Sequence, residues 1–256
     1  MPFDTLSKAK AKEYKSLSHK KIRDELGLFI AEGTKCVIDL LDTFHLERLI
    51  CTTAWAHENE VYVEKFADKV LLSDKRGIEI VSSLNSLPEV IAIFEKPFAE
   101  NRVDKLDRDK LYLLLDGIQD PGNIGTIIRT CDWFGVYDIF ASKTTVDVYN
   151  PKVVQATMGS LARVRVRYLD LAILIEENRG MNVMGTLLNG IPINELNGEG
   201  KGFLIMGNEG KGISEELKNL IHKRITIPPV NPAAHPDSLN VAIATAICLS
   251  KMTLKK

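Results

Sequence analysis

Apolar residues recur along this chain in two different periods. From residue 111 onward, apolar strand-like runs (LYLLLDGI, YDIFAS, RVRVRYL, NVMGTLL, GFLIMG, RITIPP) alternate with stretches whose apolar positions are three and four residues apart. The helical period covers 124–134, 151–159, 170–178, 214–222 and 239–251. A strand that is apolar at every position is buried on both faces. Strands of that kind separated by helices predict a parallel sheet covered on both sides. Ligands of such sheets bind at the carboxyl ends of the strands, so the loops after LYLLLDGI, NVMGTLL, GFLIMG and RITIPP are where chemistry is expected.

The amino-terminal part has a smaller version of the same alternation. LSKAKAKEYKSLSHKKIRDELGL reads as helix, and a short strand then enters a turn at Gly33. The next helix has Val37, Ile38, Leu40 and Leu41 as its apolar face, and the short strands KVLLS and IAIF bracket a helix near 74–84. EKPFAENRVDKLDRDK is polar and carries Pro97, as a linker does. With 256 residues to divide, two modest domains are expected, 1–104 and 105–256.

Composition narrows this picture. At 45% hydrophobic and 26% charged residues the chain is ordinary globular protein. The four cysteines are widely spaced, with no paired spacing and no histidines set for zinc, so buried free thiols in a reducing, cytoplasmic setting are expected and no metal is. No run reaches the ~18 apolar residues of a membrane span. A net charge of −1 gives no overall attraction to polyanions. Two local asymmetries do: Lys8, Lys10, Lys12, Lys15, Lys20, Lys21 and Arg23 stand against only Asp4 and Glu13, and Arg163, Arg165 and Arg167 sit at strand spacing that can place them on one face.

Three loops carry candidate chemistry. In DGIQDPGNIGTIIRTCDWFG, a turn at Pro121 and Gly122 leads into a helix whose apolar stripe is Ile124, Ile127, Ile128, Cys131 and Phe134 and whose end fits a cap at Gly135. Arg129 lies roughly 160° from that stripe, aimed at solvent, a partner chain or an anion. In FLIMGNEGKG the glycines suggest close backbone approach to a ligand. Their spacing reverses the dinucleotide fingerprint, and the Lys-Ser/Thr pair of a phosphate loop is missing. Glu209, Glu215 and Glu216 would repel phosphate, which favours a neutral or cationic ligand, and Ser214 is placed to cap the following helix. In ITIPPVNPAAHPDSLNVAIATAICLSKM a proline-stiffened loop leads to Ser238 as the start of an apolar helix, with Asn240 as a polar side chain facing a site.

Taken together, NIGTIIR (123–129), IMGNEGKGIS (205–214) and IP…SLNVAIA (227–244) resemble, in order, the three signature motifs of SpoU-type (TrmH-like) RNA 2'-O-ribose methyltransferases of the SPOUT superfamily. SLSHKKIRDELGLFIAEGTKCVIDLL is similar to the small RNA-binding domain that many of them carry first. The resemblance implies an α/β carboxyl-terminal domain with a deep trefoil knot, preceded by a ribosomal-protein-like α/β domain, and a homodimer. It implies S-adenosylmethionine as cofactor, held by Thr186, Gly207, Asn208, Ile227 and Leu239. Arg129, Asn123, Glu209, Ser238 and Asn240 would form the catalytic set, and Arg23, Glu32 and Gly33 would lie near RNA. The chain departs from the family in its third loop, which runs ten residue steps from Pro228 to Ser238 and includes His235, and in having AIA where the family often has Ser-Val-Ala.

The implied substrate is ribosomal RNA first and transfer RNA second. A ribosome-associated RNA-binding protein without turnover is the non-enzymatic alternative, and the glycine spacing argues against a dinucleotide oxidoreductase.

Overall fold

The structure is a computed structural model that describes residues 3–97, 103, 105–196, 200–231 and 236–254. The chain divides into two compact units, one formed by Met1–Phe98 with Asp147–Ala162 and the other by Ala99–Val146 with Arg163–Lys256. The boundary expected near residue 104 lies outside the described residues.

The described residues of the first unit run β1 (Asp4–Thr5), α1 (Lys8–Lys15), α2 (Lys20–Leu26), β2 (Leu28–Glu32), α3 (Thr34–Leu41), β3 (Leu46–Cys51), α4 (Thr53–Glu58), α5 (Glu60–Lys65), β4 (Val70–Leu72), α6 (Lys75–Val81) and β5 (Val90–Glu95). The strands form a mixed sheet in the order β1-β4-β3-β5-β2. Ala11, Tyr14 and Leu17 pack with Ile78 and Val81 over Ile30, Ile50, Ile91 and Ile93. The single helix expected over residues 6–28 is broken by a 3-10 turn at Ser16–Ser18. Ser16 bonds back to the Glu13 carbonyl at 2.5 Å, a local bond that competes with continued helix. The break sends Leu17 into the core, where it is fully buried. Helices α4 and α5 were not anticipated; each has only six residues, too few for a clear helical period.

The second unit runs β6 (Leu111–Asp116), α7 (Pro121–Trp133) and β7 (Asp138–Ala141). After α8 (Pro151–Thr157), which belongs to the first unit, it continues with β8 (Arg165–Tyr168), α9 (Leu171–Glu177), β9 (Val183–Pro192), β10 (Gly202–Gly207), α10 (Glu215–Lys218), β11 (Lys223–Thr226) and α11 (Val241–Thr253). Its strands lie in the order β11-β9-β10-β6-β7-β8, and every pairing is parallel. All of Leu111 to Leu115 is buried, as the unbroken apolar run requires. Phe140, Leu171, Leu174, Ile175, Phe203, Ile205 and Leu217 form a cluster with Tyr112 and Leu114 on one side. Helices α7 and α11 pack against each other, and α11 also against β10.

Residues 147–162 leave the second unit between β7 and β8 and complete the first. Tyr149 stacks among Phe29 and Phe44, at centroid distances of 4.8 and 6.5 Å, and Asp147 pairs with Arg23. The arginines at 163, 165 and 167 do not form a free basic face. Arg163 precedes β8 and pairs with Asp132 at 2.7 Å, while Arg165 and Arg167 share Asp138. The helix expected over 214–222 is a single turn, and the one expected from 239 begins at Val241. Strand β9 outruns its apolar signal and reaches Pro192 with its outer half partly exposed. All four cysteines are buried and free. Burial pushes the Cys36 and Cys248 thiols up to about 12 and Cys51 to about 11. Among the described residues no helix is long and apolar enough to cross a membrane.

Candidate active site

The order of the parallel strands reverses between β6 and β10. From β6 the chain proceeds outward through β7 to β8, and β10, β9 and β11 lie on the other side. The crevice at the carboxyl ends of those two strands is the switch point at which open α/β sheets bind ligands. The loop after β6 and the loop after β10 both start there, since Asp116 and Gly207 are register partners at the strand ends.

The loop after β6 closes into α7 through a local cap. Asp120 accepts from the Asn123 N–H at 2.8 Å, and Pro121 at the first helical position has the right φ and no N–H to lose. The cap fixes the Asn123 backbone and leaves its side chain for longer-range contacts. Its Nδ2 donates to Glu209 Oε1 at 2.7 Å, and its Oδ1 accepts from Asn240 Nδ2 at 2.9 Å. These three side chains come from the three loops singled out by sequence, and 86 and 117 residues separate Asn123 from its two partners. Asn240 also caps α11, its Oδ1 accepting from the Ala242 and Ile243 N–H groups. The cap expected at Ser238 is therefore two residues further on; Ser238 is exposed.

Arg129 is exposed on α7, opposite the buried Ile124, Ile127, Ile128 and Cys131, and forms no ion pair among the described residues. Six residues beyond Asn123, it lies about 9 Å further along the helix axis. Gly135, at φ 73°, follows the end of α7 as expected.

The loop after β10 is a tight turn. Asn208 and Gly212 exchange backbone hydrogen bonds of 3.0 and 2.9 Å. A Cβ on Gly207 would come within 2.4 Å of the Gly212 carbonyl carbon, so only glycine permits the closure. The Asn208 side chain is committed to the same loop and its neighbour: Oδ1 accepts from the Gly210 and Lys211 N–H groups, and Nδ2 donates to the Gly117 carbonyl at 2.7 Å. Ser214 stands at the start of α10 without a side-chain capping bond; its N–H instead donates to Asp116 Oδ2 at 2.7 Å.

Thr186, Gly207 and Ile227 lie on or just after three adjacent strands, β9, β10 and β11, and Leu239 immediately precedes the α11 cap. Thr186 is half-buried and donates to the Ile205 carbonyl. Leu188 and Leu239 are 75% and 50% exposed, uncovered apolar surface of the kind a neutral aromatic base would bury, and Glu209 supplies a carboxylate for a cation. These residues suit a nucleoside carrying a sulfonium. A separate cleft at the ends of β6, β7 and β8, lined by Asp116, Ser142, Lys143, Asp170 and Glu216, includes none of the four.

In the first unit, Arg23 and Glu32 are not surface groups. Arg23 is 1% exposed and donates to Asp147 and to the Leu17 and Ser18 carbonyls. Glu32 is 4% exposed and accepts from the Ser82 hydroxyl and the Ser83 N–H. Gly33 turns the chain into α3 at φ 88°. The six lysines of the amino-terminal basic run are all exposed. Sequence reasoning missed Asp116 and Asp120. The Asp-Pro pair at 120–121 is a readable cap signal, whereas Asp116 looks like the ordinary polar end of a strand. His235 lies outside the described residues.

The chain thus combines a parallel α/β unit, with a candidate ligand site at its switch point, and a mixed-sheet unit. The comparisons with known proteins agree. Residues 110–250 match the SpoU rRNA Methylase family, and residues 8–92 match an MRM3-like substrate binding domain. The 23S rRNA (guanosine(2553)-2'-O)-methyltransferase RlmP of Bacillus subtilis is 30% identical, with 93% of each chain covered. An AdoMet-bound rRNA methyltransferase from Sinorhizobium meliloti superimposes with a TM-score of 0.84 at 32% identity, covering 97% of this chain and 95% of that one. A TrmH-family protein from Porphyromonas gingivalis gives 0.82 at 33% identity, covering 96% and 98%. The chain belongs to the SpoU rRNA methylase family.

Proposed function

We propose that this protein transfers the methyl group of S-adenosylmethionine to a ribose 2'-hydroxyl of ribosomal RNA. The observation that carries the reading is the Asn123–Glu209–Asn240 network, which joins side chains from all three motif loops at the switch point. Thr186, Gly207, Ile227 and Leu239 would hold the cofactor, which supplies an activated methyl on a sulfonium. A 2'-hydroxyl is a weak nucleophile, so the chain must align it and manage one proton. Orientation supplies on the order of 7–11 kcal/mol and a general base roughly 3–5 kcal/mol, so positioning is the larger contribution. Guanidinium groups stay protonated in proteins, and Arg129 accordingly acts by binding the target's phosphate and favouring loss of the hydroxyl proton. Asn123, Glu209, Ser238 and Asn240 orient the ribose and the arginine.

The first unit serves as the RNA-binding domain. Exposed lysines such as Lys8, Lys12 and Lys20 make the phosphate contacts, and Arg23 and Glu32 hold the α2 and Gly33 surfaces from beneath. A homodimer fits the exposed Trp133 on α7 and Ile243 on α11, 84% and 52% accessible. The trefoil knot at the carboxyl-terminal end and a cytoplasmic setting, in keeping with four free thiols, complete the reading.

The test is transfer of labelled methyl from S-adenosylmethionine to purified ribosomal and transfer RNA, with 2'-O-methyl mapping. Label in ribosomal RNA is expected, and S-adenosylmethionine at a hundredfold excess over Kd should stabilise the fold by about 2.7 kcal/mol. Label only in transfer RNA would overturn the substrate. RNA binding without cofactor binding would leave a non-catalytic RNA-binding protein.

A further inference from the structure

Two residues outside the expected catalytic set tie the loops of the switch point together. The turn after β10 carries Glu209 at its tip, and it is fastened to the loop after β6 at both ends. At its start Asn208 Nδ2 donates to the Gly117 carbonyl, and at its end the Ser214 N–H donates to Asp116 Oδ2, both at 2.7 Å. Between these fastenings Asn208 Oδ1 accepts from the Gly210 and Lys211 N–H groups, each at 2.9 Å, on either side of the point where the turn reverses. Three of the four hydrogen bonds open to an asparagine side chain are thereby directed at protein backbone, and one Nδ2 hydrogen remains. The carboxamide is held by the protein itself, and Asp116 is likewise engaged by a backbone amide.

We infer that Asp116 and Asn208 are positioning residues, whose function is to hold the turn so that Glu209 meets Asn123 in the network that orients the acceptor ribose. This assigns Asn208 a role other than the direct cofactor contact expected from family resemblance. It rests on the methyltransferase reading above. The physical reason for two fastenings is that Glu209 sits on an exposed turn rich in glycine, whose conformational freedom would otherwise be large. Its carboxylate reaches Asn123 in a single geometry only if the turn is fixed relative to α7, and the cap at Asp120 already fixes the α7 side.

The experiment uses the full-length protein and measures single-turnover methyl transfer at saturating ribosomal RNA and cofactor, with S-adenosylmethionine Kd measured separately by calorimetry. Asn208→Ala should lower the transfer rate by roughly tenfold or more, since each neutral hydrogen bond lost is worth about two- to tenfold. The cofactor Kd should move by less than about threefold, because the energy of a bond to protein backbone does not enter cofactor affinity directly. Asp116→Ala should behave in the same way. Asp116→Asn, which keeps an acceptor for the Ser214 N–H, should recover most of the rate, and a failure to fold would not show that rescue. Added to Asn123→Ala, Asn208→Ala should cost little more, because its effect runs through the bond already removed.

A wild-type rate in Asn208→Ala, a loss confined to cofactor Kd, or additive losses in the double variant would each overturn the inference. Amide hydrogen exchange at Gly210, Lys211 and Ser214 tests the fastenings without methyl transfer. Protection in the wild type that is lost at Gly210 and Lys211 in Asn208→Ala, and at Ser214 in Asp116→Ala, is expected. A wild-type protein that shows this pattern but transfers no methyl would sink the methyltransferase reading and leave the fastening intact, whereas unprotected wild-type amides would sink the fastening alone.

Discussion

The two units each contain a polar cluster that joins residues far apart in sequence, and the clusters are built on opposite terms. In the first, Arg23 and Asp147 meet at 2.7 Å with side chains 1% and 10% exposed, and the guanidinium's other donors go to backbone carbonyls. In the second, Asn123, Glu209 and Asn240 bond to one another at the rim of the sheet, where Glu209 and Asn240 are exposed, and Arg129 carries no partner at all among the described residues. A desolvated charge must have its bonds completed by protein, which makes it architecture. A solvated one can keep bonding capacity for a ligand. Residue type does not separate the two cases, because an arginine in a basic run and an arginine on a helix face look alike until burial is known.

The comparison is tested most severely at Arg23. Arg23→Met leaves Asp147 as an uncompensated, nearly buried carboxylate, and breaking such a pair costs about 3–5 kcal/mol. Denaturant unfolding of the full chain should register that loss in the transition that includes the first unit. Replacing Asp147 by Leu as well should restore much of it, since removing both charges is far less costly than stranding one. A single-variant loss under about 1 kcal/mol would mean that the cluster is not structural and would reopen a direct RNA role for Arg23.

The opposite result is expected at Arg129. Arg129→Ala should leave the melting temperature and cofactor affinity unchanged, since the exposed side chain has no ion-pair or hydrogen-bond partner among the described residues. It should cost single-turnover methyl transfer about ten- to two-hundredfold, the worth of one charge-assisted contact. A larger loss at saturating RNA would assign Arg129 a contact made only in the transition state. Arg129→Lys keeps the charge and loses the planar fork, so near-normal turnover would exclude bidentate phosphate binding. A wild-type rate in the alanine variant would break the comparison, because an exposed arginine would then be no more functional than a buried one.

The parallel sheet was legible because its central strands, β6 and β10, are apolar at nearly every position, a pattern that survives any detail of the loops. Residue spacing also placed Arg129 on the solvent side of α7 and Gly135 just beyond its end. What the sequence could not convey was pairing at a distance. Nothing local marks Asp138 as the partner of two arginines, or assigns 147–162 to the first unit when 163–168 returns to the second. The three motif loops were recognisable as loops, and Asn123, Glu209 and Asn240 from them do meet, yet the work a residue does can differ from its local reading. Ser238 and Asn240 show this in three residues of chain. Both are good helix caps, and the choice between them fell to Asn240 because its carboxamide can accept from the helix with one atom and donate to Asn123 with the other, which a serine cannot do at that separation.

That dual use allows the smallest effect to be separated into its parts. Asn240→Ala removes both bonds, so it should cost about 1 kcal/mol of stability through the lost cap and also slow methyl transfer. Asn240→Asp keeps an oxygen that accepts from the Ala242 and Ile243 N–H groups, and a carboxylate at a helix N-terminus is favoured by the helix dipole. Its stability should therefore stay within about 0.5 kcal/mol of wild type. The donor to Asn123 Oδ1 is gone, however, and a second negative charge joins Glu209 around the same carboxamide. Methyl transfer by Asn240→Asp should consequently fall severalfold even though the helix is intact. Thermal unfolding and single-turnover rates measured on the same preparations distinguish these contributions. If Asn240→Asp keeps both its stability and its rate, Asn240 is a cap and nothing more, and the network that joins the three loops has only two members.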